Sequence, residues 1–386
     1  MNASTRSLSR LTWITLGLCF MIALITGFRM QSLRHLLASW FAANRFDPGT
    51  QTPISSPIPS PTPTPSPPIE LMAWLPWWDQ VAVLTSLGSA QAYLTTISPS
   101  WYHLNDTGQI QPFADTQPQP IYHLATNSGL LILPTVGNDL DSLRVSTFLS
   151  NPDNFTPAID FLLAEASAAD YAGFDLDFEN IPREYAGNYT QFLTLLSDKL
   201  HQVNLHLSIA VHARTGSPNE WEFALSHDYA TLGQIADQIR IMAYDFHYAG
   251  SSPGPVTPTD QLDRVITYAL TQIPKHKLVL GLPLYGYDWP QDANGESITY
   301  VMAQQRLMLH QGTTTRDPQS NALIGHYLVD SIPHMLWFED ATSTLGQINQ
   351  ARALGITRFV FWRLGDEDPN TWAAIASIAT LLNPGE

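Results

Sequence analysis

The first apolar stretch of the chain is an uncharged run from Leu11 to Phe28, with Arg10 before it and Arg29 after it. About 18 helical residues reach roughly 27 Å, just enough to cross a bilayer. No small-residue cleavage site follows closely, so residues 1–29 are predicted to be a retained signal-anchor. The remaining chain is then expected on the extracytoplasmic side of the cell membrane. The alternative is a protein secreted after signal-peptide cleavage.

The next two segments are predicted to connect this anchor to a folded domain. In residues 30–51, apolar residues at Leu33, Leu37 and Phe41 recur at helical spacing, which is typical of an amphipathic helix on the membrane surface or of a continued anchor helix. Residues 52–68 are rich in proline, which favours extended polyproline II and forms no core. About 16 such residues make a semi-rigid spacer of roughly 50 Å.

From residue 69 to residue 386, short apolar runs alternate with segments of helical periodicity. Near-continuous apolar strands alternating with helices predict an α/β fold, a parallel sheet closed into a (β/α)₈ TIM barrel. The interval from 285 to 356 exceeds one helix, so a small insertion is expected between strands seven and eight. The predicted strands are Glu70–Leu75, Leu94–Tyr102, Leu130–Thr135, Gly173–Glu179, His206–His212, Gln238–Tyr244, Leu278–Leu284 and Thr357–Trp362.

Composition narrows the classes of partner. The net charge of −16 argues against nucleic acid as a ligand. The single cysteine, Cys19, permits neither an internal disulfide nor a cysteine metal site. No pair of histidines has the spacing of metal ligands, so no metal and no cofactor are predicted.

The segment Gly173–Asn180 carries the strongest chemical signal. Asp175, Asp177 and Glu179 alternate with Leu176 and Phe178, so in a strand the three carboxyls share one face. Crowding and burial of carboxyls raise at least one pKa, which keeps an acid protonated near neutral pH. A half-exposed amphipathic strand and a calcium site are the alternatives, although a calcium loop favours Gly and Asn between its ligands.

Three motifs resemble glycoside hydrolase family 18, the chitinase-type barrels. The family pattern DGxDxDxE reads AGFDLDFE over Ala172–Glu179, with Ala172 in place of the first Asp. The pattern MxYD corresponds to Met242–Asp245, and the tryptophan of the closing strand corresponds to Trp362. The runs Leu280–Trp289 and Trp337–Asp340 resemble the bacterial cell-wall-lytic branch, which includes the spore cortex-lytic N-acetylglucosaminidases.

This resemblance implies a role for each matched residue. Glu179 would protonate the glycosidic oxygen, while the acetamido oxygen of the substrate attacks the anomeric carbon. Asp177 would orient the acetamido group, and Asp175 would share a proton with Asp177. The other implied site residues are Tyr244 on the acetamido oxygen, Asp245 on a sugar hydroxyl, Trp362 under the −1 sugar, and Met242 and Tyr285 in the binding cleft. His103, His212 and His247 are expected to be satisfied structural histidines.

Three functions compete at this point. The first is hydrolysis of β-1,4 bonds next to N-acetylglucosamine in peptidoglycan, favoured by the branch-like motifs and by the predicted tether. The second is a chitinase acting on external chitin. The third is a non-catalytic sugar-binding barrel, which the retained Glu179 disfavours.

Overall fold

The computed structural model describes residues 67–378 and 380–382. It contains a closed barrel of eight parallel strands in the order β1-β15-β9-β8-β7-β6-β5-β2, with β1 pairing back onto β2. The strands are β1 (Glu70–Leu75), β2 (Thr96–Leu104), β3 (Ile110–Pro112), β4 (Leu131–Ile132), β5 (Thr135–Gly137), β6 (Gly173–Asp177), β7 (His206–His212), β8 (Gln238–Met242), β9 (Leu278–Pro283), β10 (Tyr285–Pro290), β11 (Glu296–Thr299), β12 (Thr313–Arg316), β13 (Leu323–Val329), β14 (Ile332–Phe338) and β15 (Arg358–Trp362).

Helices lie between or after the strands, and all except α8 cover the outside of the barrel. They are α1 (Gln80–Ala90), α2 (Pro118–Asn127), α3 (Ser142–Leu149), α4 (Phe155–Ala169), α5 (Ala186–His201), α6 (Tyr229–Ile235), α7 (Thr259–Gln272), α8 (Tyr300–Leu309), α9 (Ala341–Ala353) and α10 (Thr371–Ile378). The predicted (β/α)₈ barrel is therefore confirmed. The predicted strand bounds differ mainly at the carboxyl ends. The strand predicted to end at Glu179 ends at Asp177, and the one predicted to end at Tyr244 ends at Met242.

Strand β6 shows how the alternation of its sequence determines its two faces. Phe174 and Leu176 are fully buried in the layer between strands and helices, while the acids on alternate positions face the barrel interior. The strand begins at Gly173 because the backbone of β7 approaches it closely. A Cβ atom there would lie 2.0 Å from the carbonyl oxygen of His206, so only glycine fits.

The predicted insertion between strands seven and eight is present as a five-stranded antiparallel sheet in the order β11-β10-β14-β13-β12. Helix α8 covers one face, and Ile298, Leu307 and Phe338 belong to the small core between helix and sheet. The opposite face presents Tyr285, Tyr287 and Trp289, which pack with Val256. Because this row begins directly after β9, the insertion forms a wall beside the end of the barrel where its strands finish.

The predicted anchor over 1–29, the juxtamembrane segment over 30–51 and all but the last two residues of the linker over 52–68 lie outside the described residues. Within residues 67–378 and 380–382, no helix is both long enough and apolar enough to cross a membrane.

Backbone hydrogen bonds connect the residue before β1 to the carboxyl-terminal segment. Ile69 is fully buried, and its N–H donates to the carbonyl of Thr380 at 2.9 Å while its carbonyl accepts from the N–H of Leu382 at 3.0 Å. These contacts join the residue directly before β1 to the carboxyl-terminal segment, and the boundary at Ile69 stays a prediction.

Removing residues 1–68 is expected to leave a folded barrel, because the proline-rich segment contributes no core. Removing residues 1–76 also deletes β1, which opens the barrel between β15 and β2 and is expected to abolish cooperative unfolding. Thermal unfolding followed by circular dichroism compares the two truncations. Loss of the transition in the shorter deletion would contradict the boundary at Ile69.

Candidate active site

Three acids occupy successive depths at the carboxyl end of β6. Asp175 is fully buried, Asp177 is partly buried, and the Glu179 side chain retains 18% of its exposure. The alternation predicted from the sequence therefore places the deepest carboxyl in the barrel interior and the outermost beside the cavity described below.

Asp175 is the most heavily bonded side chain of the site. Its Oδ2 accepts from Trp74 Nε1 at 2.7 Å and from Thr135 Oγ1 at 3.2 Å. Its Oδ1 accepts from Ser208 Oγ at 2.5 Å and forms an ion pair with Arg240 Nη1 at 3.2 Å. Arg240 is itself fully buried and also donates to Ser98 Oγ at 2.6 Å. Four partners thus hold Asp175 as a carboxylate in the barrel interior.

Asp177 differs from Asp175 in having little to stabilise a charge. Its Oδ1 is buried and has no hydrogen-bond partner among the described residues. Burial, and next the negative charge of Asp175, raise the pKa of Asp177 to about 7. Both oxygens of Asp175 are bonded by donors and a cation, and the expected sharing of a proton between the two carboxyls stays a prediction.

Glu179 is positioned through its backbone. The side chain of Asn138 accepts from the Glu179 N–H at 2.8 Å and donates to the Glu179 carbonyl at 2.8 Å. Asn138 is itself nearly fully buried. Burial, then the charges of Asp177 and Asp245, hold the pKa of Glu179 well above its usual range. The raised pKa favours the protonated form of this outermost acid, which is the state that a proton donor requires.

Tyr244 and Asp245 follow β8 and face the same cavity as Glu179. Asp245 adopts a left-handed backbone conformation with φ of 59°, and its Oδ1 accepts from Tyr285 Oη and, at 2.9 Å, from Tyr287 Oη. Burial raises the pKa of Asp245, although these two donors act in the opposite direction. Tyr285 is only 4% exposed. It therefore links the insertion to Asp245 and is not among the residues that line the cavity beside Glu179.

Asp177, Glu179 and Asp245 line a cavity of about 440 Å³ with a wall of aromatic rings. Trp362 meets Trp74 edge-on at 6.4 Å between ring centroids and Trp78 at 6.1 Å. Trp77 continues this wall by stacking on Phe113 at 4.9 Å. Trp78 remains 42% exposed, so an apolar ring face is available beside Trp362 for a sugar. Met242 also lines this cavity.

Several of these residues were not identified from the sequence. Asn138, Trp78 and Phe113 lie in loops far apart along the chain, and only the closed barrel brings them to one cavity. A signal existed for two others: Arg240 is a lone cation inside an apolar strand, and Trp74 lies near the end of β1. Within the described part of the chain, no three His, Cys, Asp or Glu residues are grouped closely enough to hold a metal ion.

The three histidines expected to be structural behave differently from one another. His103 Nδ1 bonds Asp139 Oδ2 at 2.9 Å, and His247 Nδ1 bonds the carbonyl of Ser252 at 2.9 Å. His212 is not satisfied in this way: its Nε2 is buried and has no hydrogen-bond partner among the described residues, and its Nδ1 lies 3.6 Å from Glu179 Oε2. The interpretation of His212 as a satisfied core histidine was wrong.

The chain is similar to known proteins over most of its length. Residues 76–368 match the family model for glycosyl hydrolases family 18. The chain is 27% identical to the cortical fragment-lytic enzyme of Bacillus subtilis (strain 168) over 294 residues, which cover 74% of this chain and 68% of that protein.

Two solved structures share the fold. The spore cortex-lytic enzyme SleL of Bacillus cereus superposes with a TM-score of 0.76 and 23% identity, covering 84% of this chain and 77% of that one. A chitinase from Chromobacterium violaceum superposes with a TM-score of 0.72 and 22% identity, covering 80% of this chain and 98% of that one.

The substitutions Asp175→Asn and Asp177→Asn are expected to change stability in opposite ways. Asp175→Asn leaves the Arg240 cation buried without a counter-charge and is expected to cost about 3–5 kcal/mol of unfolding free energy. The pKa of Asp177 is raised on folding, so the folded state binds more protons than the unfolded state between pH 4 and about 7. Stability therefore falls as pH rises through this window, and Asp177→Asn removes part of that fall.

Urea unfolding of both variants and the wild type at pH 4, 5.5 and 7 measures the change in unfolding free energy that each substitution causes. Equal destabilisation by the two variants at all three pH values would contradict the assignment of Asp175 as the paired carboxylate and Asp177 as the unpaired one.

Proposed function

The chain belongs to glycosyl hydrolases family 18, and from that premise we propose that it cleaves β-1,4 bonds next to N-acetylglucosamine in peptidoglycan by a substrate-assisted retaining mechanism. The observation that carries this proposal is the environment of Glu179. Burial and two neighbouring acids raise the pKa of its carboxyl well above the usual range, and Asp177 and Asp175 lie deeper, on the inward face of β6.

In the proposed first step, Glu179 donates its proton to the glycosidic oxygen as the bond to the anomeric carbon breaks. The carbonyl oxygen of the substrate's 2-acetamido group attacks the anomeric carbon and closes a positively charged oxazolinium ring. Tyr244 Oη donates to this carbonyl oxygen. Its pKa lies well above the ordinary tyrosine value because of burial and the surrounding acids, so it remains a hydrogen-bond donor throughout.

Asp177 is proposed to accept from the acetamido N–H and to balance the charge of the oxazolinium ring. In the free protein its buried Oδ1 has no partner among the described residues, so the substrate N–H would supply the missing donor. The interaction is stronger in the charged transition state than in the ground state, which is the condition for catalysis. Asp175 remains the fixed carboxylate beneath it.

In the second step, water attacks the anomeric carbon from the face that the leaving group vacated. Glu179, now ionised, accepts a proton from that water, the ring opens to restore the acetamido group, and the configuration is retained. Trp362 is proposed to support the −1 sugar, with Asp245 holding a hydroxyl group and Met242 forming part of the cleft.

Peptidoglycan is the proposed substrate because of the relatives and the predicted tether. The similar Bacillus proteins carry the names cortical fragment-lytic enzyme and spore cortex-lytic enzyme. The predicted anchor and proline-rich spacer would hold the barrel outside the membrane at a distance suited to the cell's own wall. Both the membrane attachment and the extracytoplasmic location are part of this proposal.

Replacing the proton donor is the first test of this mechanism. Glu179→Gln preserves the shape of the side chain and removes the transferable proton, so hydrolysis is expected to fall by about 10²–10⁴-fold. Glu184→Gln, an exposed position five residues away, is the matched control and should retain full activity. Thermal unfolding of both variants checks the fold. Activity of Glu179→Gln within a few-fold of wild type would exclude the assignment.

The substrate is tested by digesting purified peptidoglycan and chitin hexamer in parallel, with product ends identified by mass spectrometry. The proposal expects peptidoglycan fragments with new N-acetylglucosamine reducing ends, faster than any cleavage of chitin. Cleavage of chitin alone would support the chitinase alternative. If neither polymer is cleaved by the wild type, the enzyme proposal is contradicted in favour of a sugar-binding barrel.

A further inference from the structure

The inward-facing residues of β7 follow the three acids of β6 step by step. In the parallel register, Asp175 lies opposite Ser208, and Ser208 donates to it at 2.5 Å. Ala210 comes next and packs inside the barrel. His212 ends the strand, two residues further on, and its Nδ1 lies 3.6 Å from Glu179 Oε2. Because strand side chains alternate, His212 belongs to the same layer as Glu179.

The backbone around His212 is fixed by a second histidine. His227 is fully buried, its Nδ1 accepts from the His212 N–H at 3.0 Å, and its Nε2 bonds the carbonyl of Phe178 at 3.1 Å. One neutral ring therefore joins the end of β7 to the residue directly before Glu179. Tyr229 Oη also donates to the His212 carbonyl at 2.6 Å. The backbones that carry the Glu179 carboxyl and the His212 imidazole are thus held in a fixed relation.

The His212 ring itself is buried but incompletely bonded. Its side chain is 11% exposed, Trp221 covers it edge-on at 4.7 Å between ring centroids, and its Nε2 has no hydrogen-bond partner among the described residues. A buried histidine held for structure alone normally has both nitrogens satisfied. The unmatched ring beside the proton donor therefore indicates a role in the chemistry of Glu179.

We propose that His212 is a positioning residue whose neutral imidazole donates from Nδ1 to Oε2 of Glu179, leaving Oε1 to carry the proton to the glycosidic oxygen. This inference rests on the proposed role of Glu179 as the acid. The 3.6 Å separation is longer than a hydrogen bond, and such contacts often shorten only when substrate occupies the site.

One tautomer serves both steps of the reaction. With the proton on Nδ1, the ring donates to the carbonyl oxygen of the protonated acid and, after proton transfer, to the carboxylate. The second interaction is the stronger one because the acceptor is then charged. In this tautomer Nε2, which has no partner among the described residues, carries no proton. No ring N–H is then buried without an acceptor. By stabilising the ionised form, His212 keeps Glu179 acidic enough to release its proton despite its burial.

The charges around His212 are consistent with a neutral ring. Burial, then the neighbouring His227, lowers the pKa of His212 to about 3, and burial lowers the pKa of His227 to about 4. Glu179, two residues after the end of β6, faces the ring. Arg214, on the loop after β7, donates to the His227 carbonyl at 3.2 Å and lies over the rings of Tyr229 and Tyr268. The ring is therefore uncharged over the pH range in which Glu179 is expected to act.

The test compares two substitutions of equal shape in the full chain. His212→Asn keeps an N–H donor near the position of Nδ1, whereas His212→Leu has the same outline without a donor, and His212→Met is a second apolar variant in case the leucine variant does not fold. The pKa of Glu179 is followed by NMR of ¹³C-carboxyl-labelled glutamate, with the signal assigned from Glu179→Gln. This readout does not require a known substrate. The basic limb of the kcat/KM profile is measured on any glycan that the wild type cleaves.

The apolar variants are expected to raise the pKa of Glu179 by about one pH unit or more, the magnitude of a hydrogen bond to a charged group. The basic limb should move upward equally, and kcat should fall about 10-fold to 100-fold with little change in KM. The asparagine variant should stay near wild type. An unshifted Glu179 titration in the apolar variants, or an equal shift in the asparagine variant, would overturn the proposal. A wild type that cleaves no glycan would instead contradict the proposed function and leave the NMR result to decide the role of His212.

Discussion

The ion pair between Asp175 and Arg240 is the constraint on which the interior of this barrel depends. Both side chains are fully buried, so neither charge is solvated by water and each must be matched by protein groups. The network around the pair reaches six of the eight barrel strands. Its members are Trp74 on β1, Ser98 on β2, Thr135 on β5, Asp175 on β6, Ser208 on β7 and Arg240 on β8. A shift in strand register would remove one of these side chains and leave a buried charge without its partner. The ion pair is therefore a strong determinant of strand register.

The same ion pair prepares the site above it. Burial, and next the negative charge of Asp175, disfavour ionisation of Asp177, and burial, then the charges of Asp177 and Asp245, disfavour ionisation of Glu179. Asp175, the deepest acid, therefore carries a charge, whereas Asp177 and Glu179 nearer the cavity favour their protonated forms. The cavity is where the proposed mechanism requires a proton to be delivered. The cost is a set of raised carboxyl pKa values that destabilises the folded protein at neutral pH, and the extensive buried core offsets that cost.

Much of this arrangement followed from local sequence pattern. Alternation predicted that Asp175, Asp177 and Glu179 share a face, and the succession of apolar strands predicted the barrel and its insertion. Pattern could not predict the partners of those acids, because Asn138, Arg240 and Trp74 are brought to them only by barrel closure. For the same reason pattern could not show that four partners from other strands bond Asp175, and the expected proton sharing between Asp175 and Asp177 stays a prediction. His212 was misjudged because satisfaction of a ring nitrogen depends on tertiary contacts. The anchor, juxtamembrane and linker assignments stay predictions.

In the proposed mechanism Glu179 is the proton donor and no carboxylate acts as the nucleophile, so the acetamido group attacks the anomeric carbon. The most direct measurement is kcat/KM for aryl glycosides of the smallest glycan the enzyme cleaves, with the −1 sugar carrying an N-acetyl, N-fluoroacetyl, N-difluoroacetyl or N-trifluoroacetyl group. Each fluorine weakens the carbonyl oxygen as a nucleophile while leaving the leaving group unchanged. The account predicts a steep, progressive fall in kcat/KM across the series. A rate that is insensitive to fluorination would show that the acetamido group does not attack and would contradict the mechanism.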